Sequence, residues 1–376
     1  MRNLKILSCA VAVIAVAVTL IAGNTASADS HDTADSCTEI DGYTVCTTRP
    51  WEQDDKTDTA IVDEISRRIS EAGDGATIRI AMYFWKRTEL AEDLVAARGR
   101  GVDVRAVIGL PSTDPDVSDE VRKILADGDV ATTVCERSCL PNKDGEHKAV
   151  MHNKFVTIED GGSTSVLVSS SNLATSQYQH AQNMVVSEDD KPLYDHYTAY
   201  WDRMAAKDWK GWTDADKSAT GTKDTSKAYA LPRYSGNVIA QVLDNVDGCR
   251  EGSDRVWVTA NVVGNEDARA KLIELQELGC DVKVAVTHAE DKEWMQEPVS
   301  GVGRLDPDKI VHFELNHNKI IIVDAEYSGQ WRKVLFVGSH NFSQNSLRNA
   351  NDNMLRLINT NITDHYIEFF RDMYNY

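Results

Sequence analysis

Apolar residues recur at Ile61, Ile65 and Ile69, the spacing of one helix face, and Gly73-Asp74-Gly75 ends that run. Ile78 to Phe84 then reads as a buried strand, Glu89 to Arg98 as a helix, and Val102 to Ile108 as the next strand. The later chain repeats the order, with a helix over 238–246, a strand over 256–262, a helix over 268–278 and a strand over 282–286. Helices alternating with strands predict an α/β layer with parallel strands.

The two stretches are copies of one another. Gly101-Val102-Asp103-Val104 returns as Gly279-Cys280-Asp281-Val282 at an offset of 178, and Ile78 as Val256 at the same offset. His152 returns as His317 at 165, Asn172 as Asn341 at 169, and Asp195-His196-Tyr197 as Asp364-His365-Tyr366 at 169. Four matches in one order indicate a tandem duplication. The falling offset puts about thirteen additional residues in 111–151, which reads as a polar loop near a site mouth. Residues 29–54 read as a polar N-terminal segment and 207–231 as an exposed linker, so the repeats occupy 55–206 and 232–376.

The N-terminus changes the compartment. Arg2 and Lys5 precede an apolar run over 6–23, and Ala26-Ser27-Ala28 follows, the pattern of a secretory signal cleaved after residue 28. An uncleaved anchor is the alternative. Cleavage removes two basic residues and no acid from a chain of net charge −19, leaving 38 basic against 59 acidic residues, or −21. So acidic a protein is a poor general binder of nucleic acid, whose affinity comes from neutralising phosphates. Six cysteines then remain, and export favours the local pairs Cys37–Cys46, Cys135–Cys139 and Cys249–Cys280 over a metal site.

The repeated polar residues permit one chemistry. His152-Asn153-Lys154 leads into an apolar run and Glu159; His317-Asn318-Lys319 leads into Ile320 to Val323 and Asp324. In a strand, His317 and Lys319 share a face, as do His152 and Lys154. One neutral imidazole can attack phosphorus while the other protonates the leaving alkoxide, and the lysines can hold the phosphate oxygens. Glu159 and Asp324 are placed behind the imidazoles as orienting carboxylates. The kit requires no metal or other cofactor. His340 is expected to fill its loop rather than act; His180 and His288 have no assigned role.

The pattern H-x-K-x4-D followed by Gly338-Ser339-His340-Asn341 resembles the phospholipase D superfamily. The second copy matches fully. The first has Glu159 for the aspartate and Ser169 for the loop glycine. The resemblance implies two α/β sandwich domains related by a pseudo-twofold, with one site at their interface. It implies metal-independent transfer with His152 as nucleophile and His317 as general acid and base. Lys154, Lys319, Asn172, Asn341, Ser170 and Ser339 would bind the phosphate. Export and charge favour a lipid or other extracellular phosphodiester, and the reading is a secreted phospholipase D, expected to be a monomer, acting at a phospholipid surface, with Trp209, Trp212, Trp294-Met295 and Trp331 as candidate membrane contacts. A secreted nuclease on the same scaffold and a non-catalytic binding protein are the alternatives.

Overall fold

The computed structural model describes residues 36–223 and 225–376; the expected signal segment lies outside them. Each half builds a mixed sheet. In the first the strand order is Cys37–Ile40, Tyr43–Thr47, Asn183–Glu188, Ser163–Ser169, Lys154–Asp160, Thr77–Met82, Asp103–Gly109 and Ala131–Cys135. The second repeats it as Ser218–Thr220, Ser226–Ala230, Asn353–Ile358, Gln330–Gly338, Ile320–Tyr327, Arg255–Ala260, Asp281–Val286 and Ile310–His312. Thr77–Met82 runs parallel to Asp103–Gly109, and Arg255–Ala260 parallel to Asp281–Val286. The strands that follow each histidine join antiparallel, however. The expected all-parallel layer therefore covers only part of each sheet. Lys154–Asp160 turns straight back into Ser163–Ser169 through Gly161-Gly162, and so short a connection allows only antiparallel neighbours.

Side chains alternate between two cores. Ile320 and Ile322 face a central core shared by both halves, while Ile321 and Val323 face an outer core of the second half alone. In the first half Phe155 points to the central core, and Val156 and Ile158 to its own outer core. Each strand is thus apolar on both faces, and so reads in sequence as an unbroken apolar run. Ile61, Ile65 and Ile69 of helix Ala60–Glu71 close the first outer core. The central core is sealed by two equivalent helices, Lys191–Ala206 and Thr360–Asn375. Asp190 caps the first by accepting from Leu193 N, and Asn359 caps the second by accepting from Ile362 N.

Three segments differ from expectation. Residues 37–47 form a hairpin on the edge of the first sheet, where a polar loop was expected. The expected linker carries strands Ser218–Thr220 and Ser226–Ala230, which edge the second sheet in the same way. Each hairpin gains its order from the sheet it joins, so neither shows an apolar period of its own. Residues 111–151 are not all loop either, since helix Asp119–Asp127 and strand Ala131–Cys135 occupy part of them. Beyond that strand the chain forms a loop tied to the other half, because Asn351 accepts from Leu140 N and donates to Leu140 O.

All three expected disulfides form: Cys37–Cys46, Cys135–Cys139 and Cys249–Cys280. Among the described residues no helix is long and apolar enough to cross a membrane. Of the aromatic candidates for membrane contact, Trp212 and Met295 are buried and Trp209 and Trp294 half-buried. Arg269 covers the Trp294 ring. Trp331 alone of these is exposed, with Arg250 stacked 4.3 Å from its centroid.

Candidate active site

Each histidine stands just ahead of its strand and is docked by backbone bonds to the opposite half. His152 N donates to Asn351 O at 2.9 Å, and His317 N to Ala181 O at 3.0 Å. Met151 pairs in parallel with Asn351, and Asn316 with Ala181. Side chains repeat the exchange. Asn353 donates to Asn153 at 2.9 Å, and Asn183 to Asn318 at 2.7 Å. Tyr197 reaches Asn353 and Tyr366 reaches Asn183, both at 3.4 Å. The asparagine between His and Lys points away from the site, as alternation requires, and its buried amide welds the two halves together.

The residue behind each imidazole also comes from the opposite half. His152 Nδ1 lies 2.7 Å from Asp352 Oδ1. Ser339 donates to the same oxygen at 2.7 Å, and Ser346 donates to Oδ2 at 2.6 Å. His317 Nδ1 lies 3.0 Å from Gln182 Oε1 and 3.1 Å from Ser170 O. Lys319 Nζ also approaches that nitrogen, at 3.1 Å, but donates to His317 O at 2.5 Å, so the two acceptors favour a proton on Nδ1 that leaves Nε2 with its lone pair. Gln182 is itself held by Ser170 Oγ at 2.8 Å and by its own donation to Gln177 at 2.9 Å. Gln182 and Asp352 occupy equivalent places at an offset of 170, and both were missed in the sequence. The signal was present: Gln182-Asn183-Met184 returns as Asp352-Asn353-Met354.

The lysines lie under the histidines. Lys154 Nζ donates to His152 O at 2.6 Å, and Lys319 Nζ to His317 O at 2.5 Å. Both lysines are buried, and burial lowers Lys154 to about 7 and Lys319 well below its ordinary value. Burial, then the Lys154 charge, lowers His152 to about 4, against an opposing pull from Asp352. Burial, then Lys319, Lys154 and His152, lowers His317 well below its ordinary value. Burial pushes Asp352 upward, but His152 and Lys154 outweigh it and hold the carboxyl at about 2. Burial thus disfavours the charged form of both imidazoles and both lysines around one buried carboxylate: a cradle short of an anion.

A depression of about 370 Å³ opens beside His152 and Asp352, lined also by Val262, Val263, Asn341 and Ser346. Asn172 and Asn341 each have a buried Oδ1 without a hydrogen-bond partner among the described residues. Ser170 and Ser339, expected on the phosphate, instead give their hydroxyls to Gln182 and Asp352. Gly338 has φ +149°, and a Cβ there would sit 2.4 Å from Asn353 O. Ser169 fills the equivalent place and bonds Asn183 O through its hydroxyl at 3.0 Å, so the first loop needs no glycine. His340 is buried in its loop and lowered to about 4 by burial, His180 Nδ1 lies 2.8 Å from Ser176 O, and His288 is exposed.

Glu159 and Asp324 are not in the site. Each lies seven positions along extended chain from its histidine, roughly 23 Å at 3.3 Å per residue. Asp324 lies near Arg255 at 3.6 Å and Lys333 at 3.9 Å, and Glu159 accepts from Tyr194 at 3.4 Å. The spacing that suggested an orienting carboxylate instead carries it to the far end of the sheet. This explains why Glu is tolerated at 159. Glu159→Gln and Asp324→Asn should therefore leave kcat/KM within about threefold of the parent, with stability changed by about 1 kcal/mol or less. Steady-state rates on a soluble phosphodiester and a thermal melt check both; a hundredfold loss of rate would return these carboxylates to the chemistry.

Sequence and structure comparisons bear on the family and the fold. The family described as "Cardiolipin synthase, PLD-like domain" matches residues 65–205 and 248–374. No curated protein matches the sequence. Among solved structures, the fold is similar to polyphosphate kinase from Porphyromonas gingivalis, with TM-score 0.57 and 13% identity. That match covers 87% of this chain and 46% of the kinase, so the chain spans just under half of its length. Phosphatidylserine synthase from Haemophilus influenzae gives TM-score 0.57 and 13% identity, covering 84% of this chain and 85% of the synthase. At those identities the likeness is one of fold.

Proposed function

The chain belongs to the phospholipase D-like family, and from that membership and the crossed histidine pair we propose that it is a secreted phospholipase D, cleaving headgroup phosphodiesters through a phosphohistidine. The observation that carries the reading is the unequal support of two buried, neutral imidazoles. His152 Nε2 attacks phosphorus and the bond to the headgroup oxygen breaks. The resulting imidazole, phosphorylated on Nε2 and protonated on Nδ1, carries a positive charge, which the Asp352 carboxylate 2.7 Å away stabilises. Gln182 offers His317 only a neutral amide, which suits His317 to acid–base work instead. Protonated once the substrate anion offsets the lysine charges, it is a strong acid that gives its proton to the leaving alkoxide. The neutral His317 then takes a proton from water, the water oxygen attacks phosphorus, and the phosphorus–nitrogen bond breaks. An alcohol in place of water gives transfer instead of hydrolysis. Lys154 and Lys319 hold the non-bridging oxygens.

The three disulfides and the acid-rich composition support export and a lipid substrate over a nucleic acid. Headgroup release from phosphatidylcholine vesicles, run beside plasmid nicking in EDTA, tests the substrate class. Nicking without headgroup release would sink the lipid reading in favour of a nuclease.

The titrating groups set the pH profile. As pH rises through about 4, His152 loses its proton and becomes a nucleophile, so kcat/KM should rise there. As pH rises through about 7, Lys154 loses its charge and kcat/KM should fall. The two limbs belong to the coupled site as a whole. Gln182→Glu should raise the His317 value by placing a carboxylate on Nδ1, and because the site titrates as a coupled whole the falling limb should move upward by about one pH unit or more. An unmoved profile would remove His317 from the acid–base role.

A further inference from the structure

Four cations meet in one depression away from the histidines. Lys143, Lys148, Arg233 and Arg348, with Asn142, Asp144, Tyr234 and Asn349, line a hollow of about 410 Å³. The protein around it is strongly acidic, at net charge −19 for the whole chain. Within the hollow Asp144 is the one carboxylate against four cations, although Glu146 pairs with Lys148 at 2.5 Å and Asp214 lies behind Arg233 and Tyr234. Lys217 lies beneath the floor, its Nζ 3.0 Å from the Tyr234 ring centroid and 3.4 Å from the Asp214 carboxylate.

The hollow is built rather than incidental. Arg233 is 6% exposed, and its Nη atoms donate to Asp214 O and Lys217 O at 2.5 and 2.8 Å. Its Nε and the Tyr234 hydroxyl are both buried without a hydrogen-bond partner among the described residues. Arg348 donates to Arg233 O at 3.2 Å, and no carboxylate pairs with it among the described residues. Asn142 fixes the rim, accepting from Asp144 N and Glu146 N at 3.0 Å and donating to Asn349 at 3.3 Å across the two halves. Buried donors left without acceptors, beside concentrated positive charge, describe a place for an anion.

Its position is also fixed. Lys148 is four residues before His152, and Arg348 four before Asp352. The two segments lie side by side through the parallel Met151–Asn351 bridge. Four extended residues span at most about 14 Å.

We propose that this hollow is a second phosphate-binding site, separate from the histidine pair, which takes the phosphate group of a soluble ester or of a lipid headgroup. Isothermal titration of the protein with inorganic phosphate tests it. The parent should bind two phosphates per chain. Lys143→Gln/Lys148→Gln/Arg348→Gln should lose one, its affinity falling by roughly a hundredfold or more, because hydrogen bonds between charged groups are each worth about tenfold. Lys319→Ala should lose the other, so failure of the histidine site and failure of this one are read separately. The triple variant should still cleave a small soluble diester at the parent rate. Retention by the triple variant of every phosphate the parent binds, or an equal loss of diester cleavage, would overturn the proposal. If loss of Arg348 unfolds the chain, Lys143→Gln/Lys148→Gln carries the same test, with about a hundredfold weakening expected. Vesicles offered to the His152→Asn variant, which makes no phosphatidic acid of its own, distinguish the sources: displacement of the second phosphate by equimolar phosphatidylcholine and phosphatidic acid, but not by phosphatidylcholine alone, assigns a lipid headgroup. No displacement assigns a soluble phosphate.

Discussion

Asp352→Asn should lower kcat by about three to four orders of magnitude while the protein stays folded, the scale seen when a histidine loses its orienting carboxylate. The cause is tautomeric as well as electrostatic. Asp352 Oδ1 accepts from His152 Nδ1 and from Ser339, and Oδ2 accepts from Ser346. An amide nitrogen facing the ring would donate to Nδ1 and drive the ring proton to Nε2. The nucleophile would then have no lone pair to offer. The lost negative charge would also leave the phosphorylated, cationic imidazole without its partner. Rates on a soluble diester, with the nitrogen chemical shifts of His152, measure both effects. A loss below tenfold would mean that Asp352 serves only packing.

His317→Asn should divide the two half-reactions. With a poor leaving group, loss of the acid should cost about 10⁴-fold, the upper end of general acid–base catalysis. With a nitrophenyl ester the leaving group needs little protonation, so His152 should still be phosphorylated. Turnover should then stall, because nothing removes a proton from the attacking water. A burst of nitrophenol equal to the enzyme concentration, with a phosphoryl adduct on the peptide containing His152, is the expected result. His152→Asn should show neither burst nor adduct. A burst from His152→Asn and none from His317→Asn would exchange the two roles.

The histidines and lysines could be read from sequence because the duplication states them twice in one frame. The fold class could be read for the same reason, through strands apolar on both faces. The partners of the histidines could not. Asp352 lies 200 residues from His152, and Gln182 lies 135 from His317, so only the closed fold brings them together. The divergence of Gln182 from Asp352 also hid their equivalence. Glu159 and Asp324 misled in the other direction, since a carboxylate close in sequence is far away on an extended strand. The hairpins at 37–47 and 218–230 were invisible because the sheet edge, rather than local preference, makes them strands.

The crossing of partners between halves bears on why the two copies share one chain. Were the site assembled from two identical subunits, every histidine would face the same residue, and any exchange of a carboxylate for an amide would strike both at once. Tandem fusion lifts that symmetry. Position 352 carries an acid and position 182 an amide, each felt by one imidazole alone. Neither half is then a smaller version of the enzyme. Each supplies the group behind the other's histidine, and the unequal roles proposed for His152 and His317 rest on that exchange.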